Sequence, residues 1–266
     1  AGMTKPRFQG RTVTDVPQTA RRRAALAFIL VTVVLDIMAL GVVIPVLPIL
    51  IEDFTGSASQ AGWVIGVFNA AWSLMQFIFS PVMGALSDRF GRRPVLLLSN
   101  AGVGLDYILM AMAPTLWLLA IGRVLSGITA ATVSSAFAYI ADVTPPERRA
   151  QAFGLIGACF GLGFILGPVL GGWLGDIDPR LPFWVAGAMS LANFAYGFFV
   201  LPESLPRERR TPFSWKRANP MGAFNLLNSN PQLIGLAVVN VIAQTAHHAL
   251  PTVFALYALE RYDWGA

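Results

Sequence analysis

Gly84-Ala-Leu-Ser-Asp-Arg-Phe-Gly-Arg-Arg-Pro94 is a short basic stretch between two long apolar runs, residues 62–83 and 95–113. Runs of about 20 apolar residues are long enough to cross the hydrocarbon core of a bilayer. The eleven residues between them therefore read as a tight loop at a membrane surface. Gly84 and Gly91 permit close backbone turns, and Pro94 suits the first turn of a following helix. Asp88 sits among Arg89, Arg92 and Arg93, a carboxylate with several cations within reach. On these residues alone two readings stand side by side: a basic turn that only marks one membrane face, and a charge cluster with a role of its own.

Composition sets the class. The 266 residues are 55% hydrophobic and 12% charged, with a mean hydropathy of +0.62. A soluble domain carries close to about one quarter charged residues. Together with the repeated apolar runs this is an all-α polytopic membrane protein. The net charge of +5 does not indicate nucleic acid, because the basic residues fall in alternate loops rather than on one surface. Cys159 is the sole cysteine, so no disulfide framework or thiol metal site is expected. The apolar run from Ala24 is too long for a signal peptide and lacks a small-residue cleavage site.

Outward from the loop, residues 1–23 read as a polar, basic tail and 24–201 as a bundle of six spans. The first span covers about 24–51 and is broken late by Pro45 and Pro48. The others cover about 60–83, 95–113, 116–140, 151–174 and 182–201. Residues 202–230 form a linker rich in Pro and Arg, and a seventh span begins near Pro231 within the segment 231–266. Sixteen of the nineteen Lys and Arg residues lie in the tail, the 84–94 stretch, the 148–149 loop and the linker. The positive-inside rule puts that side, with the N-terminus, in the cytoplasm.

Three charges lie inside spans: Asp36, Asp106 and Arg123. Each costs at least about 2.5 kcal/mol on insertion scales and so calls for a reason. Asp36 and Asp106 lie roughly 18 Å from the cytoplasmic end of their spans, at the helical rise. The three are expected to face one cavity, with Arg123 compensating one acid and leaving the other free to titrate. The competing reading is a static ion pair that pins helices together. Gln76, Asn69, Asn240 and Gln244 line a pore or bond between helices, Gln76 being the best placed. His247 and His248 point about 100° apart on a helix, so at most one would face a cavity. Trp63, Trp117, Trp173 and Trp184 sit near span ends as interfacial anchors.

The 84–94 stretch matches every fixed position of Gly-x-x-x-Asp-Arg-x-Gly-Arg-Arg-Pro and resembles the signature loop of the major facilitator superfamily. The resemblance implies a gating loop at Gly84, Asp88, Arg89, Gly91 and Arg92, with Asp88 and Arg92 as a charge latch for one state of the alternating-access cycle. In span five, Gly157, Gly161, Gly163, Gly167, Gly171, Gly172 and Gly175 give a small-residue face, in a helix that Pro168 is expected to interrupt. That segment resembles the antiporter motif of drug/proton exchangers, which assigns Gly157, Gly161, Gly167, Pro168, Gly171 and Gly172 to it.

Further stretches are similar to the tetracycline efflux proteins of that superfamily. They are Leu35-Asp36, Gly41-Val-Val-Ile-Pro-Val-Leu-Pro48, Asp106-Tyr107, Gly122-Arg123, Ser126-Gly-Ile-Thr129, Tyr139-Ile-Ala-Asp142, Ala158-Cys-Phe-Gly161 and Leu201-Pro-Glu-Ser204. The resemblance covers about 24–204 and implies that Asp36, Gln76, Asp106 and Arg123 handle drug and protons. The implied activity is export of a divalent-cation chelate of tetracycline across the bacterial inner membrane in exchange for protons. No cofactor or resident metal is expected: protons are the coupling ion, and a cation such as magnesium arrives with the drug. The expected partners are a small-molecule drug, the lipid bilayer and a separate C-terminal half, with no nucleic acid. A complete member would need about twelve spans, so the chain reads as the N-terminal half plus one span, truncated.

Alternatives are an exporter of another drug and a non-transporting half that packs with a partner. An intramembrane aspartyl protease would want Gly-x-Gly-Asp, whereas Gly102-Val-Gly-Leu-Asp106 is displaced by one residue. No enzyme activity is expected.

Overall fold

The computed structural model describes residues 18–130, 132–215, 218–222 and 231–262. The side chains of 18–25, 58, 132, 231, 247–256, 258–260 and 262 lie outside that description. The expectations for the far N-terminal tail, for 216–217 and 223–230 of the linker, and for the side chains of His247 and His248 therefore fall on residues not described.

Among the described residues nine α-helices follow in chain order: α1 Gln18–Val43, α2 Val46–Thr55, α3 Ala58–Phe90, α4 Arg92–Ala111, α5 Leu116–Thr129, α6 Thr132–Val143, α7 Arg149–Ile177, α8 Leu181–Val200 and α9 Pro231–Tyr262. Six stretches among the described residues are long and apolar enough to cross a membrane. Leu26–Thr55 combines α1 with α2, and Leu116–Val143 combines α5 with α6. The chain is an all-α, multi-pass membrane protein, and its exposed apolar side chains, Trp63, Trp117, Trp173 and Trp184 among them, suit a lipid environment.

The 84–94 stretch corrects the sequence reading. It is not a loop. The helical hydrogen bonds of α3 run on through Gly84 to Phe90, and the break is the single residue Gly91. Its φ of +111° and ψ of +161° lie in a region that is essentially glycine-only. Gly84 makes no turn, and a Cβ there would meet nothing within 4 Å. A polar stretch between apolar runs need not be irregular; here it is helix that continues past the apolar part of α3. Pro94 does fall in the first turn of α4.

Pro168 corrects a second expectation, because α7 is continuous across it. The reason lies in the neighbouring helix. Gly163, Gly167 and Gly171 face α1 so closely that a Cβ at Gly167 would come within 2.6 Å of the Gly41 Cα. One at Gly163 would strike Ile37, and one at Gly171 the Val42 carbonyl. This backbone-to-backbone contact holds the helix together over the proline. Gly157 and Gly161 make no such approach and are exposed.

Span four breaks where no glycine or proline predicts it. α5 ends at Thr129, and Ala130 turns away with φ −70° and ψ 61°. The six spans pack as α1 on α7 and α8, α4 on α5 and α8, and α3 on α5, with α9 against α3. One apolar core, including Val46, Ile51, Met110, Leu119 and Phe183, fills the bundle between α1–α5 and α8; another, including Ile29, Leu96, Tyr139 and Ile156, fills the end towards the basic stretch.

Candidate functional site: a central cavity and a charged latch

Polar side chains on an apolar helix are held where neighbouring helices shield them from lipid. The one-face spacing of Asn69, Ser73 and Gln76 on α3 points all three into a cavity of about 600 Å³. Trp72 lines it beside them. Arg123 of α5 forms another wall, Leu40, Ile44, Leu47 and Pro48 a third, and Phe164 of α7 contributes an aromatic edge. Asn240, Val241, Gln244 and Thr245 close the side facing α9. The volume falls in the range of small-molecule sites, mostly apolar with a few placed polar groups.

Arg123 is the sole charged side chain among the described lining residues. Its Nη2 donates to Asn69 Oδ1 at 3.4 Å, while its Nε has no partner among the described residues. Gln76 donates through Nε2 to the Ala130 carbonyl at 3.4 Å, an acceptor at the break between α5 and α6. A helix interruption at membrane depth is tolerated where side chains reach its carbonyls.

Asp106 lies behind this wall, and Asp36, half-buried on α1, is not among the lining residues. Asp106 is 2% exposed, with Arg123 and Ser126 beside it, and neither meets hydrogen-bond geometry with its carboxylate oxygens. A Cβ on Gly122 would come within 2.5 Å of Asp106 Oδ1, so this glycine makes room for the carboxylate. Tyr107, also buried, lies in the field of Arg123, Asp106 and Asp36 together. The structure thus gathers the three intramembrane charges around one tyrosine. Of the expected set, Arg123 and Gln76 line the cavity, whereas Asp36 and Asp106 do not.

The second constellation sits on the basic face. Arg92, at the start of α4, pairs with Asp88 one helical turn back across Gly91 (2.6 Å) and with Asp142 at the end of α6 (3.1 Å). It also donates to Ser87 Oγ at 3.2 Å, and the Ser204 hydroxyl donates to Asp142 at 3.3 Å. Glu203 accepts from the Arg92 and Leu205 backbone N–H groups at 2.9 and 3.0 Å, a carboxylate on the positive end of α4. Arg210 pairs with Glu203 at 3.7 Å, and the Thr211 N–H donates to the Asp88 carbonyl at 3.1 Å. The early linker is therefore docked on the latch. Arg89 instead lies over the Phe90 ring.

Exposed ion pairs are worth about 0–1 kcal/mol each, which biases a conformational equilibrium without locking it. Asp142, Glu203 and Arg210 were not assigned a role by the sequence reading. Asp142 and Glu203 meet Arg92 from 50 and 111 residues away, beyond any local pattern, while Arg210 reaches Glu203 within the linker; the available signal was that Asp142 and Glu203 fall inside stretches that carry the family resemblance.

Comparisons with known proteins were consistent with these features. Residues 29–266 match the family model described as Major Facilitator Superfamily. The class C tetracycline resistance protein of Escherichia coli is 44% identical over 91% of this chain and 61% of its own length. The class B protein of the same organism is 39% identical over 89% and 59%. The chain thus spans about 60% of the length of these relatives. The crystal structure of the human organic anion transporter MFSD10 superimposes with a TM-score of 0.74 at 25% identity, covering 92% of this chain and 67% of that one.

Proposed function

The chain belongs to the major facilitator superfamily, and on that premise we propose that it forms the drug-binding half of a proton-coupled tetracycline exporter. The setting is the bacterial inner membrane, with the basic face and N-terminus in the cytoplasm and the remaining helices supplied by a C-terminal half. The observation that carries this reading is the cavity of about 600 Å³ whose one cation among the described lining residues, Arg123, acts on the buried carboxylate of Asp106.

Drug and proton can communicate through that pair. A ligand that draws Arg123 into the cavity takes it from Asp106, and a protonated Asp106 releases Arg123 to the ligand. The amides of Asn69 and Gln76 offer both donors and acceptors to an oxygen-rich drug. With neither acid among the lining residues, a divalent cation arriving as a chelate is met by drug oxygens and by water. The resistance relatives support tetracycline as the drug.

Arg123 also favours a second reading, an exporter of some other organic anion, as the human relative's description suggests for that protein. Proton-driven uptake into inverted vesicles, with the chain completed by a C-terminal half, separates the two. Tetracycline uptake that requires a divalent cation and stops on dissipating the proton gradient supports the first. Uptake of organic anions with none of tetracycline overturns it.

A further inference from the structure

Among the buried polar atoms with no hydrogen-bond partner in the described residues, four belong to uncharged side chains that do not line the cavity: Thr32 Oγ1, Ser99 Oγ, Ser190 Oγ and Asn193 Oδ1. They come from α1, α4 and α8, and Ser99, Ser190 and Asn193 are fully buried. Unsatisfied groups at membrane depth are expensive, and a polar site of this kind is ordinarily satisfied by buried water.

The atoms are stacked in order. Antiparallel α4 and α8 set Gly197 against Leu97, Gly104 against Ser190 and Gly187 against Ile108. That register brings Asn193 level with Ser99, and Asn193 Nδ2 donates to the Thr32 carbonyl at 2.9 Å, closing the layer against α1. Counted from the basic face at helical rise, Thr32, Ser99 and Asn193 lie about 10 Å deep, Ser190 about 15 Å and Asp106 about 21 Å. The ionisable groups around Asp106 are Tyr107 on its own helix, Arg123 on α5 and Asp36 on α1; the buried face of α8 brings only Ser190 and Asn193 as polar side chains.

We propose that this seam holds a file of buried water that takes protons from Asp106 towards the basic face, separate from the drug cavity, with the buried apolar layer of Ile29, Leu96 and Leu201 as the gate it must open at that face. A proton leaves the Asp106 carboxyl for the first water as that water passes one of its own onward, and Arg123 balances the carboxylate left behind. The inference rests on the proton coupling proposed above, and it gives drug and proton different doors with the charge of Arg123, felt by Asp106, between them.

Silver-ion accessibility tests it without any substrate. In a Cys159→Ser background, Ser99→Cys, Ser190→Cys and Thr32→Cys are exposed to Ag⁺ from the basic face. Residual thiol is then titrated after denaturation. Ala39→Cys and Ala186→Cys, both at fully buried positions, serve as dry controls. The seam cysteines are expected to react at least about tenfold faster than the controls, as wet sites do. Equal, slow reaction at all five positions overturns the water file. In the completed transporter, Asn193→Leu should slow proton-driven exchange about tenfold while drug binding is unchanged; unchanged exchange also overturns it. A reactive seam in a protein that moves no tetracycline retires the drug assignment alone, whereas a dry seam in one that does retires the seam alone.

Discussion

Arg123 faces two ways, and its position decides how the site works. Its guanidinium borders the cavity while its charge serves Asp106 behind the wall. Arg123→Lys keeps the charge that acts on Asp106 but loses the planar fork whose Nη2 reaches Asn69. In a variant retaining Trp72 as its sole tryptophan, tetracycline quenching should report at least about tenfold weaker binding for Arg123→Lys, or about 1.4 kcal/mol. Asp106→Asn should bind the drug but abolish the response of uptake to the proton gradient. Gly91 gives a second residue-scale prediction. A Cβ there meets backbone strain of about 1–3 kcal/mol and collides with the Glu203 carboxylate and the Arg210 guanidinium. Gly91→Ala should therefore lower the thermal midpoint by several degrees, while Gly84→Ala, with open space, leaves it unchanged within error. The sequence disclosed Arg123 and Asp106 because a charge inside an apolar run is conspicuous. It concealed their separation into wall and interior, which depends on how α3, α4 and α5 pack.

The elements show the same division between local pattern and distant contact. Six spans were legible because apolar length alone identifies them, and the alternation of basic stretches ordered them. Three details were not legible. The helical run of α3 to Phe90 was hidden because polar helix and polar loop share a composition. The continuity of α7 across Pro168 depends on the glycine contacts with α1, and the break at Ala130 has no glycine or proline to announce it. The α1–α7 contact yields a contrast within one motif. Gly167→Val should unfold or separate the helices, at a cost of several kcal/mol for overpacking against backbone, whereas Gly157→Ala, on an exposed face, should be neutral. Thermal unfolding of the detergent-solubilised protein followed by circular dichroism measures both. Destabilisation by Gly157→Ala as large as that by Gly167→Val would remove the distinction.

At the scale of the whole molecule the cavity and the latch belong to one assembly. The latch joins α3, α4, α6 and the segment after α8 through Asp88, Arg92, Asp142 and Glu203. A double-mutant cycle on Asp88→Asn and Asp142→Asn, read as the population of the closed state by spin-label distances, should give a coupling of about 0.5–1 kcal/mol that fades in high salt. A coupling indistinguishable from zero would make the cluster a simple topology marker. α4 carries its one proline, Pro94, in the first turn, where it does not break the helix, and runs on to the acid: Arg92 stands at that turn and Asp106 about 21 Å along. Such a rod works as a lever whose short movement at one end is enlarged at the other. A tilt of about 10° around the acid would carry the arginine sideways by roughly 3–4 Å over that length, enough to part an ion pair held at 2.6 Å. Proton traffic deep in the bundle can thus be felt at its surface as displacement, with no chain of side-chain contacts needed to carry the message.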